Sequence, residues 1–295
     1  MINKQIDNVR ERMMECFRSS SLRSLAKRFR PWLADGKMLR ARLLLRIGDA
    51  TKAPAEDCIR AATAVELIHV ASLLHDDVID EGRIRRGQPS VWVQEGVKSA
   101  VLLGDLMVSR AFALVRQSGN GPLTDVLVES LQEMCDAETQ QELVLKGRAA
   151  DWQTCVSVAR RKTGSLFAFA AYAGSGASCR LGAMLREAGY AVGTAYQLAD
   201  DVFDVHGDPL LSDKTLGTDA ANGKPTAATA AEAEGADPIL CIRQLCDAAY
   251  ASLSKWPEVQ DGWSDYMNQD MAPALKSFLG TGLRANRVPL SRSCR

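Results

Sequence analysis

Residues 66–91 read ELIHVASLLHDDVIDEGRIRRGQPSV, and the fold follows from how this stretch is patterned. Leu67, Ile68, Leu73, Leu74 and Ile79 recur at helical spacing, so 55–81 is expected to be one long helix. At 3.6 residues per turn, Val65, His69, Ser72, Asp76 and Asp80 fall in one stripe of that helix. Residues four apart stack on one face, which places Asp76 over Asp80. Two carboxylates one turn apart repel each other unless a cation sits at their oxygens, and hard divalent ions such as Mg²⁺ take oxygen ligands of this kind. His75 points about 100° away from Asp76 on the wheel, so His69 is the better candidate for a role on the acidic face.

The pattern occurs a second time. Residues 196–208, YQLADDVFDVHGD, put Asp200 over Asp204 at the end of another apolar helical run, 181–205, with Gly193, Tyr196 and Gln197 on the same broad face. One D-D-x-x-D is as often a solvated helix end as a site. Two of them, each closing an apolar helix, point instead to facing carboxylate rows suited to a metal-bridged diphosphate. Arg83, Arg85 and Arg86 follow the first motif directly, and guanidinium forks match phosphate oxygens.

Other cations stand where phosphate would be met. Lys37 and Arg40 open a helix after Gly36, although the dipole disfavours cations there. Lys162 and Thr163 enter an apolar helix, and Glu138 shares a face with Gln141. Lys214 and Lys224 lie in a Gly-, Asp- and Thr-rich stretch, with residues 212–238 expected to form a flexible flap.

Strand patterns are scarce and no βαβ rhythm or composition break marks a linker. The expectation is an all-α, single-domain bundle of about ten or more helices spanning 1–295. Its N-terminal helical region, 1–30, is expected to break at Pro31, and residues 281–295 to be a frayed tail. Lys+Arg and Asp+Glu are both 36, so charge suggests no nucleic acid. The eight cysteines include no C-x-x-C pair and histidines number three, which excludes zinc-site spacing. With a charged opening stretch and no apolar run near 20 residues, a cytoplasmic protein without a transmembrane segment is expected.

These stretches together resemble the trans-isoprenyl diphosphate synthases, or polyprenyl synthetases, from about residue 36 to 226. The resemblance rests on GKMLR at 36–40, the 66–91 stretch, LLGDLMVSRAF at 102–112, KTGSLFAFAA at 162–171, YQLADDVFDVHGD, and KTLGTDAANGKPT at 214–226. It implies an isoprenoid-synthase bundle around a central cavity and a Mg²⁺-dependent transferase. That enzyme would condense an allylic diphosphate with isopentenyl diphosphate by 1′–4 chain elongation, as a homodimer. It implies Mg²⁺ ions, three per site, on Asp76, Asp80 and Asp200, with Asp77, Asp201 and Asp204 completing the metal set. Arg85, Lys162 and Lys214, and Lys224 from the flap, would hold the allylic diphosphate; Thr163 and Gln197 would flank the developing cation. Lys37, Arg40, His69 and Arg86 would bind isopentenyl diphosphate.

In such enzymes the residues four and five before the first aspartate form a floor for the growing chain. Here they are Ser72 and Ala71, both small, which implies a product longer than farnesyl. Ala41 and Ala227-Ala228 depart from the prolines usual in the family's motifs. The rival readings are a class I terpene cyclase, disfavoured by the second full D-D-x-x-D and the Lys37/Arg40 cations, and a non-catalytic subunit of a heteromeric synthase.

Overall fold

The computed structural model describes residues 2–18, 22–176, 179–206 and 222–279. The helical periodicity of the sequence is realised throughout. The helices are α1 (Ile2–Arg18), α2 (Ala26–Ala34), α3 (Leu39–Thr51), α4 (Ala55–Ile79), α5 (Val91–Glu95), α6 (Val97–Arg116) and α7 (Gly121–Gln140). They continue as α8 (Trp152–Ala159), α9 (Ser165–Ala173), α10 (Cys179–His206), α11 (Ala227–Glu234), α12 (Pro238–Ser252), α13 (Pro257–Tyr266) and α14 (Ala272–Leu279). Among the described residues the only strands are β1 (Ile84–Arg85) and β2 (Gln88–Pro89), an antiparallel pair.

The two motif-bearing helices are central because they are apolar on more than one side. α4 buries Ala61, Ala62, Val65, Leu67, Ile68, Val70, Ala71 and Leu74 against α1, α3, α6 and α9. A helix apolar all round belongs in an interior. Its 25 residues have the length and hydropathy to cross a bilayer, yet 67% of its most apolar window is buried inside the protein. α10 packs on α9 and α12. At the first of these contacts the backbones nearly touch: a Cβ on Gly193 would lie 2.7 Å from the Gly164 Cα. That approach sets Gln197 beside Thr163. Phe167, Phe169, Trp263 and Tyr266 are fully buried around this centre, each stabilising the fold by roughly 2 kcal/mol through lost apolar exposure.

Three local expectations change. Pro31 lies inside α2 rather than breaking it. Residues 228–234, expected to be mobile, belong to α11: Thr226 caps it, and Ala227, Ala228, Ala230 and Ala231 are buried. An alanine-rich run is a strong helix former and here it has a surface to pack on. The arginines after the first motif sit in a short β-hairpin, although the all-α expectation included no strand. Its two central residues, Arg86 and Gly87, have φ of 54° and 70°, as a two-residue type I′ hairpin turn requires.

Candidate active site: two acidic helix ends joined by paired cations

The first row ends α4. Asp80 is the helix's last half-turn, with φ −90° and ψ 0°. Asp76 lies one turn earlier, where burial pushes its carboxyl up to about 7, and the nearby Glu138 and Asp80 push the same way against Lys162. Around it, positive and negative side chains alternate. Lys162 pairs with Glu138 and donates to Gln141 Oε1 at 3.0 Å. The Lys224 ammonium stands 2.6 Å from Asp80 Oδ1, 3.2 Å from Glu138 Oε1 and 3.4 Å from Glu142 Oε2, and its side chain is 0% exposed. Burial would raise the Glu138 carboxyl, but Lys162 and Lys224 outweigh it and hold it below its ordinary value.

Lys224 is therefore not on an open flap, as the sequence suggested. Its segment is pinned: Asn222 Nδ2 donates to the Asp80 carbonyl at 3.2 Å, and Gly147 N–H to the Gly223 carbonyl at 2.8 Å. A charge with three carboxylates in reach has no reason to face solvent. Lys214, the other flap lysine, lies outside the described residues.

Two aspartates expected among the metal ligands are committed elsewhere. Asp77 Oδ1 accepts from Arg85 Nε at 3.0 Å and Nη2 at 2.6 Å. It is one helix step from Asp76, hence about 100° off the acidic face. Asp201 accepts from Gln197 Nε2 at 2.8 Å on one oxygen, and from the Ala227 N–H at 3.0 Å on the other. It thus anchors the start of α11 and orients Gln197, whose own oxygen accepts from the Thr163 hydroxyl. Arg85 is also not a free phosphate cation; it braces the motif from which it follows. Burial works against its charge, but Asp77, Asp76 and Asp200 more than compensate. The same guanidinium therefore lies within the field of both acidic rows. Asp204 is buried on α10 one turn beyond Asp200.

Lys162 and Thr163 lie in a π-helical turn, Arg160–Gly164, between α8 and α9. A second, Gln141–Leu145, follows α7 and carries Glu142. Such turns slip the register by one residue and gather at functional sites.

A second cation cluster adjoins. Arg40 is buried, with its guanidinium 4.6 Å from the centre of the Phe167 ring. Arg86 donates to the Trp32 carbonyl at 3.1 Å and crowds Gly36, where a Cβ would lie 2.7 Å from Arg86 Nη2. A side chain at residue 36 would shift the end of the Arg86 guanidinium. Burial, then Arg40, Arg86 and Arg85, push the His69 imidazole well below its ordinary value, so it is neutral. Lys37 is exposed at the rim, 3.2 Å from Ser277 Oγ and 5.1 Å from the centre of the Phe278 ring. The structure thus brings Arg40, His69 and Arg86 together, with Lys37 at the rim three residues before Arg40. Beneath them lies Glu66, 2% exposed, accepting from the Ala41 N–H at 2.9 Å. Burial raises its carboxyl and Arg40 opposes that.

Ala71 is 1% exposed on α4, and Ser72 turns its hydroxyl onto the His69 carbonyl at 2.9 Å. His75 faces the opposite side, 3.2 Å from the Val101 carbonyl, in a notch that Gly104 leaves open.

This arrangement can hold two anions side by side. Its oxygen-only acidic face fits a hard divalent cation, and the Asp76 carboxyl is raised first by burial and then by its neighbours Glu138 and Asp80. Among the described residues no three acidic, histidine or cysteine side chains are placed to hold a metal ion by themselves. A metal here would take one or two carboxylates and complete its shell with water and phosphate, as Mg²⁺ does.

The family profile of polyprenyl synthetases matches residues 23–250. The chain belongs to the polyprenyl synthetase family. Over 200 residues it is 34% identical to the short chain isoprenyl diphosphate synthase of Methanothermobacter thermautotrophicus, a match spanning 65% of this chain and 62% of that protein. The matched stretch thus covers about six tenths of the length of such curated relatives. Among solved structures it resembles the geranylgeranyl pyrophosphate synthetase of Pyrococcus horikoshii at 28% identity and a TM-score of 0.71, covering 94% and 90% of the two chains. The fold is also that of a Caulobacter crescentus polyprenyl synthase complexed with calcium and isoprenyl diphosphate, at 24% identity, a TM-score of 0.71, and 94% and 93% coverage.

The sequence points to the two rows and to the cations about them, but not to the further carboxylates with which those cations pair. Glu138 was noticed only for sharing a face with Gln141, and Glu142 and Glu66 not at all. The signal was present: Glu138 and Glu142 are four apart, and Glu66 precedes His69 by three, both same-face spacings.

Proposed function

We propose that this protein is a trans-prenyltransferase that elongates an allylic diphosphate with isopentenyl diphosphate to a linear polyprenyl diphosphate. The observation that carries the reading is the pairing of two differently charged subsites. One is an acidic cleft containing Asp76, Asp80 and Asp200; the other is a cation cluster of Arg40 and Arg86 around His69, with Lys37 at its rim. A cyclase, with one substrate, needs only the first.

Asp76, Asp80, Asp200 and Asp204 would hold Mg²⁺, three ions in the full site; that a Caulobacter protein of this fold binds calcium with isoprenyl diphosphate supports a divalent cation. Bound Mg²⁺ supplies Lewis-acid stabilisation of the departing diphosphate. Lys162 adds fixed positive charge aimed at that leaving group, and Lys224 and Arg85 keep the carboxylates in place; preorganised charge of this kind lowers the barrier. As the allylic C–O bond breaks, the Thr163 hydroxyl and Gln197, already fixed by Asp201, lie beside the cation. The double bond of isopentenyl diphosphate, whose diphosphate Arg40, Arg86 and Lys37 would hold, then attacks the allylic carbon to form the new C–C bond, and the resulting cation loses a proton from the adjacent carbon to the released diphosphate. The neutral His69 contributes a hydrogen-bonding edge without adding charge.

Small side chains at Ala71 and Ser72 leave room for a product longer than farnesyl. The exposed Val97, Val101 and Leu102 on α6 and Val128 on α7 fit a face covered by a second copy of the chain, and sedimentation of the purified protein as a dimer tests that. The expected compartment is the cytoplasm. The activity test is direct: protein alone, with Mg²⁺, an allylic diphosphate and labelled isopentenyl diphosphate, yields labelled polyprenols after dephosphorylation. Consumption of the allylic diphosphate without isopentenyl diphosphate would favour the cyclase.

A further inference from the structure

A second charged cavity lies far from the acidic rows, among α1, the start of α4 and the end of α6. Its volume is about 700 Å³ and five arginines line it: Arg12, Arg18, Arg23, Arg60 and Arg110. Only Glu15 and Glu56 among its lining residues are acidic, leaving a surplus of three positive charges. Arg60 and Asp76 are on one continuous helix, and sixteen residues at 1.5 Å each separate them by about 24 Å. The cavity is therefore not part of the diphosphate cleft.

Its arginines are not equally occupied. Glu56 takes Arg12 at 2.6 Å and Arg60 at 3.2 Å, and Arg18 pairs with Glu11. Arg23 and Arg110 form no ion pair with the described residues, and Arg110 Nε is buried without a hydrogen-bond partner. A buried guanidinium donor without an acceptor carries a desolvation cost that an anion would relieve. Guanidiniums from several elements meeting in one concave site match the oxygens of a phosphate chain. Ala113 and Leu114, one turn beyond Arg110 on the same face of α6, add an apolar strip beside it, and the volume is that of a small-ligand pocket.

We propose that this cavity binds a small organic molecule carrying a di- or triphosphate group, with its phosphates on Arg23 and Arg110 and its organic part against α6. The site does not depend on the reading of the acidic cleft. Calorimetric titration of the full chain, in chelator, with adenosine triphosphate and with inorganic tripolyphosphate tests it. The expected result is binding that weakens with added salt, is at least tenfold weaker in Arg23→Gln/Arg110→Gln, and persists in the cleft variant Lys162→Gln. The double variant should keep the wild-type rate of prenyl transfer. Should Arg110→Gln melt early, the exposed Arg23→Gln alone should still weaken binding several-fold. Wild-type affinity in the arginine variants, no binding of either probe, or binding only to phosphatidylglycerol vesicles would overturn the proposal.

Discussion

Replacing Lys224 by Met keeps the aliphatic stem and removes one ammonium from among Asp80, Glu138 and Glu142. The lysine side chain is 0% exposed and its partners are 23%, 17% and 21% exposed. Removing one member of a buried ion pair costs about 3–5 kcal/mol. Two features reduce that: the carboxylates retain some water, and Lys162 still neutralises Glu138. A loss of about 2–3 kcal/mol remains. With an unfolding entropy of roughly 2.1 cal/mol/K per residue over 295 residues, the midpoint should fall by about 3–5 °C.

The pH dependence separates this cause from simple loss of packing. In the wild type the paired glutamates sit below their ordinary values, so their contribution is full above about pH 4.3 and lost as pH falls through the folded value. In the variant Lys224's share of the depressing charge is gone, and with only Lys162 and Lys146 left the three carboxylates carry one negative charge in excess. Unpaired carboxylates then destabilise the fold at neutral pH and recover as they take up protons. Melts followed by circular dichroism should show the full deficit at pH 8 and a smaller one at pH 5. A deficit that is absent at pH 8, or the same at both, would refute the charge account.

Asp76→Asn should behave in the opposite sense. Because burial raises the Asp76 carboxyl to about 7, the wild type loses stability as pH rises from about 4 through that value. The amide should raise stability at pH 8 by on the order of 2 kcal/mol, measured by urea unfolding, while abolishing prenyl transfer. Ala71→Phe should shorten the product, read by chromatography of the dephosphorylated prenols; an unchanged distribution would remove Ala71 from the floor. Glu66→Gln should leave the allylic diphosphate KM alone and raise that for isopentenyl diphosphate about tenfold, since Glu66 holds the Ala41 N–H beside Arg40; steady-state kinetics with each substrate varied would show it.

The helical architecture was legible because periodicity and burial coincide. The apolar positions of 55–79 and 181–205 are the ones that became interior in α4 and α10. The grouping of Lys37, Arg40, His69 and Arg86 came from the family resemblance, because their spacing along the chain does not by itself bring a helix start, a helix face and a hairpin together. What the linear pattern could not carry was which charges neutralise which. Asp76 and Asp77 look alike in sequence, but one helix step sends Asp77 to Arg85 and leaves Asp76 in the cleft. Lys224 looked like a loop lysine because nothing nearby in sequence announces Glu138, 86 residues away. The π-helical turns at 141–145 and 160–164 leave no periodicity signature either, although one shifts Lys162 and Thr163 into the site.

Crystals grown with Mn²⁺ and a non-ionisable thiolo analogue of an allylic diphosphate would test the central claim most directly. Anomalous scattering should place metal between the carboxylates of α4 and α10, bonded to Asp76, Asp80 and Asp200 and to the diphosphate oxygens, with Lys162 turned from Glu138 toward the same oxygens. A diphosphate seated elsewhere, or bound with no metal on either acidic row, would contradict the account.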